Sequence, residues 1–193
     1  MIDFKKEAAA VREDLTKDLA ALVQIPSVYD ADTVAEHAPY GKYSRQALDF
    51  MLDLGRRDGY EVVDVDGHGG HIVIGDGEET LGILCHIDVG PVTEKDWSYP
   101  PFGAEIHGGK MYGRGVSDDK GPTLASYYAP KIAHKAGLLK SRKVHLFFGC
   151  NEEKGCPDIQ YYFTKVPYPD IAFAPDSMFP LLYGEKELTV FYI

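Results

Sequence analysis

Apolar residues near the start of the chain recur at helical spacing. Phe4, Ala8, Val11, Leu15, Leu19 and Leu22 fall three or four apart, a stripe that predicts one amphipathic helix capped by Asp3 and ended before Pro26. Ala47, Phe50, Met51 and Leu54 predict a second, closed by Gly59 at the position past a helix end that tolerates positive φ. Between them, Pro26 to Lys42 mixes Ser, Asp, Pro and Gly and reads as a surface loop, with His37 a solvated residue in it.

The period then changes from helical to alternating. Glu61 to Val65 and His71 to Ile74 predict strands joined through Asp66-Gly67-His68-Gly69-Gly70, which places His68 and His71 as exposed turn residues rather than ligands. Leu81 to Cys85 is almost wholly apolar, the mark of a strand buried on both faces, and it ends at His86. Ala104 to His107 turns through Gly108-Gly109 into Lys110 to Tyr112, a hairpin with His107 exposed. Pro122 suits a first helical position, and Thr123 to Ala136 continues that helix past Pro130, where a kink is expected. Val144 to Gly149 and Ile171 to Ala174 are further apolar runs. Helix and buried strand alternate here, so the fold class is α/β: a mixed, largely parallel sheet with helices on both faces.

Composition narrows the partners. A net charge of -10 over 193 residues, with no basic run, argues against a nucleic-acid surface. No stretch approaches the ~20 apolar residues of a membrane span, and the first residues lack the apolar core of a signal peptide, so a cytoplasmic protein that engages no membrane is expected. Cys85, Cys150 and Cys156 show no CxxC spacing and read as reduced thiols, not as a disulfide framework or a thiol-enzyme site.

The chemistry lies at the ends of the apolar runs. They finish within three residues of His86, of Glu152, with Glu153 next to it, and of Asp176, and in open α/β sheets ligands bind beyond the carboxyl ends of strands. Asp118 and Asp119, after a glycine-punctuated hairpin, stand where a helix begins. Imidazole with several carboxylates is the ligand mix of Zn²⁺ or a related divalent ion such as Mn²⁺ or Co²⁺, and the surplus of acids suggests two ions sharing a bridge. Asp88, two residues after His86, can accept the second imidazole N–H and fix the tautomer.

His86-Ile87-Asp88, Gly113-Arg114-Gly115-Val116-Ser117-Asp118-Asp119-Lys120-Gly121, Asn151-Glu152-Glu153 and Pro175-Asp176 resemble, in order, the four motifs of the M20 metallopeptidases. Pro91-Val92, Asp96-Trp97, Pro101-Phe102-Gly103 and Phe173-Ala174-Pro175-Asp176-Ser177 are most similar to the Xaa-His dipeptidases of the PepV type, and the resemblance extends from Tyr43 to Glu187. It implies that Asp118 bridges two zinc ions, that His86 and Asp176 hold one and Glu153 the other, and that Glu152 is the general base, with Asp88 behind His86. It also implies a cis bond between Asp118 and Asp119. The implied substrate is a dipeptide or another small amino-acid derivative, with N-acyl-amino-acid deacylation as the nearest alternative and a non-catalytic metal-binding or interaction module as the other class. In that family a second-zinc histidine comes from near the end of a chain more than twice this long, yet no histidine follows His145. Residues 1–193 are therefore expected to be the N-terminal portion of the catalytic domain, without lid domain or C-terminal segment and inactive alone. Strand edges left uncovered would favour self-association.

Overall fold

The apolar runs assemble into one five-stranded sheet in a computed structural model that describes residues 2–178 and 181–184. The resemblance noted as far as Glu187 therefore ends outside the described residues. The strands are β1 (Glu61–Val65), β2 (Gly69–Ile74), β3 (Glu79–His86), β6 (Arg142–Gly149) and β7 (Ile171–Phe173), in the order β1-β2-β6-β3-β7. β6 pairs with β3 and β3 with β7 in parallel, whereas β2 is antiparallel to both β1 and β6. Only β2 therefore runs against the other strands, and the sheet is mixed but largely parallel, as expected. β4 (Glu105–His107) and β5 (Lys110–Tyr112) form a separate hairpin.

Helices cover the two faces unequally. α2 (Arg12–Val23), α3 (Lys42–Arg57) and α4 (Lys120–Lys135) bury Leu22, Leu48, Met51, Leu52, Leu124 and Tyr127 against Ile72, Ile74, Ile83, Leu146 and Phe148. Each such aliphatic side chain contributes about 1.5–3 kcal/mol relative to an exposed one, so this face carries most of the core. Across the sheet, α5 (Pro157–Tyr162) packs Ile159 and Tyr162 on Val65 and Phe147. No helix among the described residues is long and apolar enough to cross a membrane.

Several local expectations change. The single N-terminal helix is divided at Val11 (φ -95°, ψ -1°) into α1 (Phe4–Ala10), which buries no residue, and α2. α4 starts at Lys120 with Asp119 as its cap, so Pro122 is the third helical residue rather than the first. Proline fits there because the third N–H of a helix also lacks an intrahelical acceptor.

The largest correction concerns the β1–β2 hairpin. Its turn is only Asp66-Gly67-His68, and Gly69 and Gly70 are strand residues opposite Val65 and Asp64. Gly70 is required by close approach: a Cβ there would lie 2.5 Å from the Val63 carbonyl oxygen and 3.2 Å from Leu52 Cδ2. Extending the strand carries His71 inward, where it is buried, stacks on His145 at 4.6 Å and meets the Tyr162 hydroxyl through Nδ1 at 2.7 Å. His68 is also partly covered, with Nδ1 2.8 Å from the Tyr40 hydroxyl and its ring 3.8 Å from that of Tyr161. His107 is exposed as expected, paired with Glu105 at 2.7 Å.

Burial, helped by the neighbouring His145, lowers the His71 pKa from 6.5 to about 4. Between those values the unfolded chain holds a proton that the folded chain does not, so stability falls as pH drops through the window and is fully present above it. The loss reaches roughly 3 kcal/mol once both states are protonated. The difference in urea midpoint between wild type and His71→Gln should therefore shrink from pH 7.5 to pH 4.5; a constant difference would place the His71 pKa near its ordinary value.

Candidate metal centre

The parallel β3–β6 pair sets the site. Its register places His86 opposite Gly149, and the ladder continues one step further through Ile87 N–H to the Gly149 carbonyl at 2.9 Å. His86-Ile87-Asp88 and Cys150-Asn151-Glu152 thus leave the sheet side by side. β7, parallel to β3 on its other side, releases Ala174-Pro175-Asp176 in the same direction. The fourth contribution comes from the turn before α4. The Asp118–Asp119 peptide bond is cis, and the turn closes so tightly that a Cβ on Gly121 would lie 2.1 Å from the Val116 carbonyl oxygen.

His86, Asp118 and Asp176 converge. One donor atom from each lies within 4.8 Å of the others, the one such group among the described residues. His86 Nε2 is 3.1 Å from Asp118 Oδ1, 3.4 Å from Asp176 Oδ2 and 3.8 Å from Glu152 Oε2. His86 is buried, whereas the Asp118 and Asp176 side chains are 61% and 36% exposed, so the cluster opens to solvent on its acidic side.

Asp88 ties the imidazole to the glutamate turn. His86 Nδ1 lies 3.2 Å from the Asp88 carbonyl oxygen and 3.3 Å from Oδ1, which assigns the proton to Nδ1 and leaves Nε2 as the ligand atom. The Asp88 carboxylate also accepts the Glu152 amide at 3.0 Å and the Glu153 amide at 3.2 Å, a role that its spacing from His86 did not disclose. Glu153 turns aside: its Oε1 accepts the Gly90 amide at 2.9 Å, and it is not one of the three clustered donors.

The surroundings of His86 are acidic. Burial alone would lower the His86 pKa, but Asp88, with Asp119 and Glu152 behind it, outweighs that and pushes it up to about 10. Glu152 is raised by burial and by Asp88, Asp176 and Glu153, against the opposing effect of His86. A nitrogen and two carboxylates facing one point, open to solvent and deficient in positive charge, suit a divalent metal with room for water.

Four further residues hold this arrangement. Buried Asp119 accepts the His86 amide at 3.2 Å through Oδ2, and the Thr123 hydroxyl lies 3.1 Å from the same oxygen. Burial raises the Asp119 pKa to about 7. The Lys120 amino group, fully buried, donates to the Leu22 and Ile25 carbonyls at 3.0 and 2.7 Å. Ser27 donates to the Ile87 carbonyl at 2.6 Å. Adjacent polar residues at a helix start could have suggested Asp119 and Thr123; no sequence pattern marks Lys120 or Ser27 as buried.

His86, Asp118 and Asp176 form a candidate metal site beyond the carboxyl ends of parallel strands. Residues 82–190, more than half of the chain, match the model of peptidase family M20/M25/M40, and the chain belongs to that family. It is 37% identical over 185 residues to a Bacillus subtilis (strain 168) protein named "Putative dipeptidase YtjP" and 38% identical over 188 residues to a "Putative dipeptidase" of Staphylococcus epidermidis. These alignments cover 96% and 97% of this chain but 40% of each relative, so the chain spans about two fifths of the length of the curated relatives it matches. Among solved structures, human carnosine dipeptidase 1 and the Saccharomyces cerevisiae di-peptidase Dug1p each superpose with a TM-score of 0.69 at 20% identity, over 83% of this chain and 36% of theirs. At that identity the likeness is one of fold.

Asp88→Ala should weaken divalent-metal binding on the order of 10- to 100-fold, because a candidate ligand histidine and the turn beside it lose their shared acceptor. Competition titration against a chromophoric chelator measures this; wild-type affinity in the variant would remove Asp88 from the support of the metal.

Proposed function

We propose that the chain is the metal-bearing N-terminal portion of the catalytic domain of a zinc-dependent dipeptidase, whose lid domain and C-terminal catalytic segment belong to the additional length its relatives have. The observation that carries this reading is the convergence of His86, Asp118 and Asp176 with Glu152 3.8 Å from His86 Nε2, at the strand ends of a peptidase-family chain. The dipeptidase names of the relatives supply the substrate class.

His86, Asp118 and Asp176 would hold one zinc ion, and Asp118 would share a second with Glu153. Zinc at such a site lowers the pKa of water and polarises a carbonyl. Asp88 keeps His86 Nε2 free as a donor and fixes the backbone of Glu152 at the same time. The Glu152 carboxylate, 45% exposed, takes the proton from the attacking water and returns it to the leaving amine nitrogen as the peptide carbon–nitrogen bond breaks. Proton uptake and release by one group leaves the residue ready for another turnover.

Glu152→Gln in the natural full-length product should lower dipeptide turnover on the order of 10²- to 10⁴-fold while zinc content stays near wild type. Parallel assay of Xaa-His dipeptides and acetylated amino acids decides between peptidase and deacylase, and turnover confined to the latter would overturn the substrate assignment. Asp118→Ala should remove more zinc than any other single ligand change, because a bridging carboxylate serves both ions. Metal analysis showing equal losses for Asp118→Ala and Asp176→Ala would overturn the bridge.

A further inference from the structure

Beyond Gly149 the chain leaves the β6 ladder, and three successive backbone N–H groups need acceptors. Glu152 and Glu153 donate to Asp88, as described. The preceding Asn151 amide donates to Oδ2 of Asp158 at 2.8 Å. Both carboxylates are buried, Asp88 at 2% and Asp158 at 1% exposure, so the run of amides that carries Glu152 is gripped from two sides by acids shielded from water.

Asp158 reaches this place through specific local features. Gly155 (φ 87°, ψ 26°) and Cys156 (φ 57°, ψ 39°) are both left-handed, which turns the chain back before Pro157 opens α5. Space for the carboxylate depends on Gly149, where a Cβ would lie 2.5 Å from Asp158 Oδ2. Asp158 is a poor device for stability alone. Its Oδ1 is buried with no hydrogen-bond partner among the described residues. A buried acid so placed costs more than an apolar residue of its size.

We propose that Asp158 is a positioning residue for Glu152, acting through the Asn151 amide. The inference rests on the reading of Glu152 as general base. His86, Asp118 and Asp176 stand on other segments, so release of the Asn151 amide displaces the base, and Glu153 beside it, while the site formed by those three residues stays in place. Misplacement by about 1 Å can cost on the order of 10²-fold in rate.

The test uses the zinc-loaded natural full-length product and its Asp158→Ala and Asp158→Asn variants. In Asp158→Ala, with zinc in excess, kcat on a dipeptide should fall about 10- to 100-fold with KM unchanged and the zinc held by His86, Asp118 and Asp176 retained, and the Asn151 amide should exchange with solvent at least about tenfold faster while the Val144 to Phe148 amides keep their protection. Asp158→Asn, whose side-chain oxygen can still accept the Asn151 N–H, should restore most of both. Unchanged kcat in Asp158→Ala, loss of the zinc held by His86, Asp118 and Asp176, or faster exchange throughout β6 would overturn the proposal, as would equal impairment in Asp158→Asn. If wild type turns over no dipeptide, the functional reading fails by itself; the exchange at Asn151 still decides whether Asp158 holds the turn.

Discussion

The parallel pairing of β3 with β6 is the constraint on which the other features depend. Eight residue pairs, from Glu79 opposite Arg142 to His86 opposite Gly149, fix where the two strands end relative to one another. A slip of one residue would turn every side chain of the shifted strand to the opposite face, exchanging Ile83 and Cys85 for Leu84 in the main core. The burial of Ile83, Cys85, Leu146 and Phe148 on the face covered by α2, α3 and α4 therefore also sets the height at which His86 and the glutamate turn meet. Core packing and site geometry are one requirement in this fold.

Polar groups next to the site translate that register into fixed side chains. Asp88 joins the ends of β3 and β6, Asp119 joins the end of β3 to the start of α4, and Lys120 joins the start of α4 to the end of α2. Ser27 adds a two-sided contact, donating to the Ile87 carbonyl and accepting the Val89 amide at 3.1 Å. These bonds lie among buried groups, where an unpaired donor or acceptor costs about 1–3 kcal/mol, so each member depends on the others.

The sequence exposed the parts of this arrangement that follow a period. Apolar runs located the strands, and the acids at their ends were legible because strand termini in α/β sheets carry ligands. His71 was misplaced because glycines beside a turn look like turn residues, whereas here Gly69 and Gly70 are small because Phe148 and Val63 backbone oxygens approach them. Asp158 was illegible for another reason. It stands in a six-residue helix too short to show periodicity, after a cysteine in a left-handed conformation that no local preference for glycine announces. The contact of the Gly90 amide with Glu153 was illegible too, because it joins segments far apart in the chain. Contacts between distant segments left no periodic trace.

The burial of Lys120 has a further consequence. Its amine is wholly enclosed and bonded to carbonyls nearly a hundred positions away in the chain, at the junction between the N-terminal helices and the metal-bearing half. A reagent that acylates amines meets the surface lysines at once, but meets this one only when the end of α2 lifts from α4. The rate at which Lys120 becomes labelled is thus a clock for that separation, written into the molecule by a single side chain.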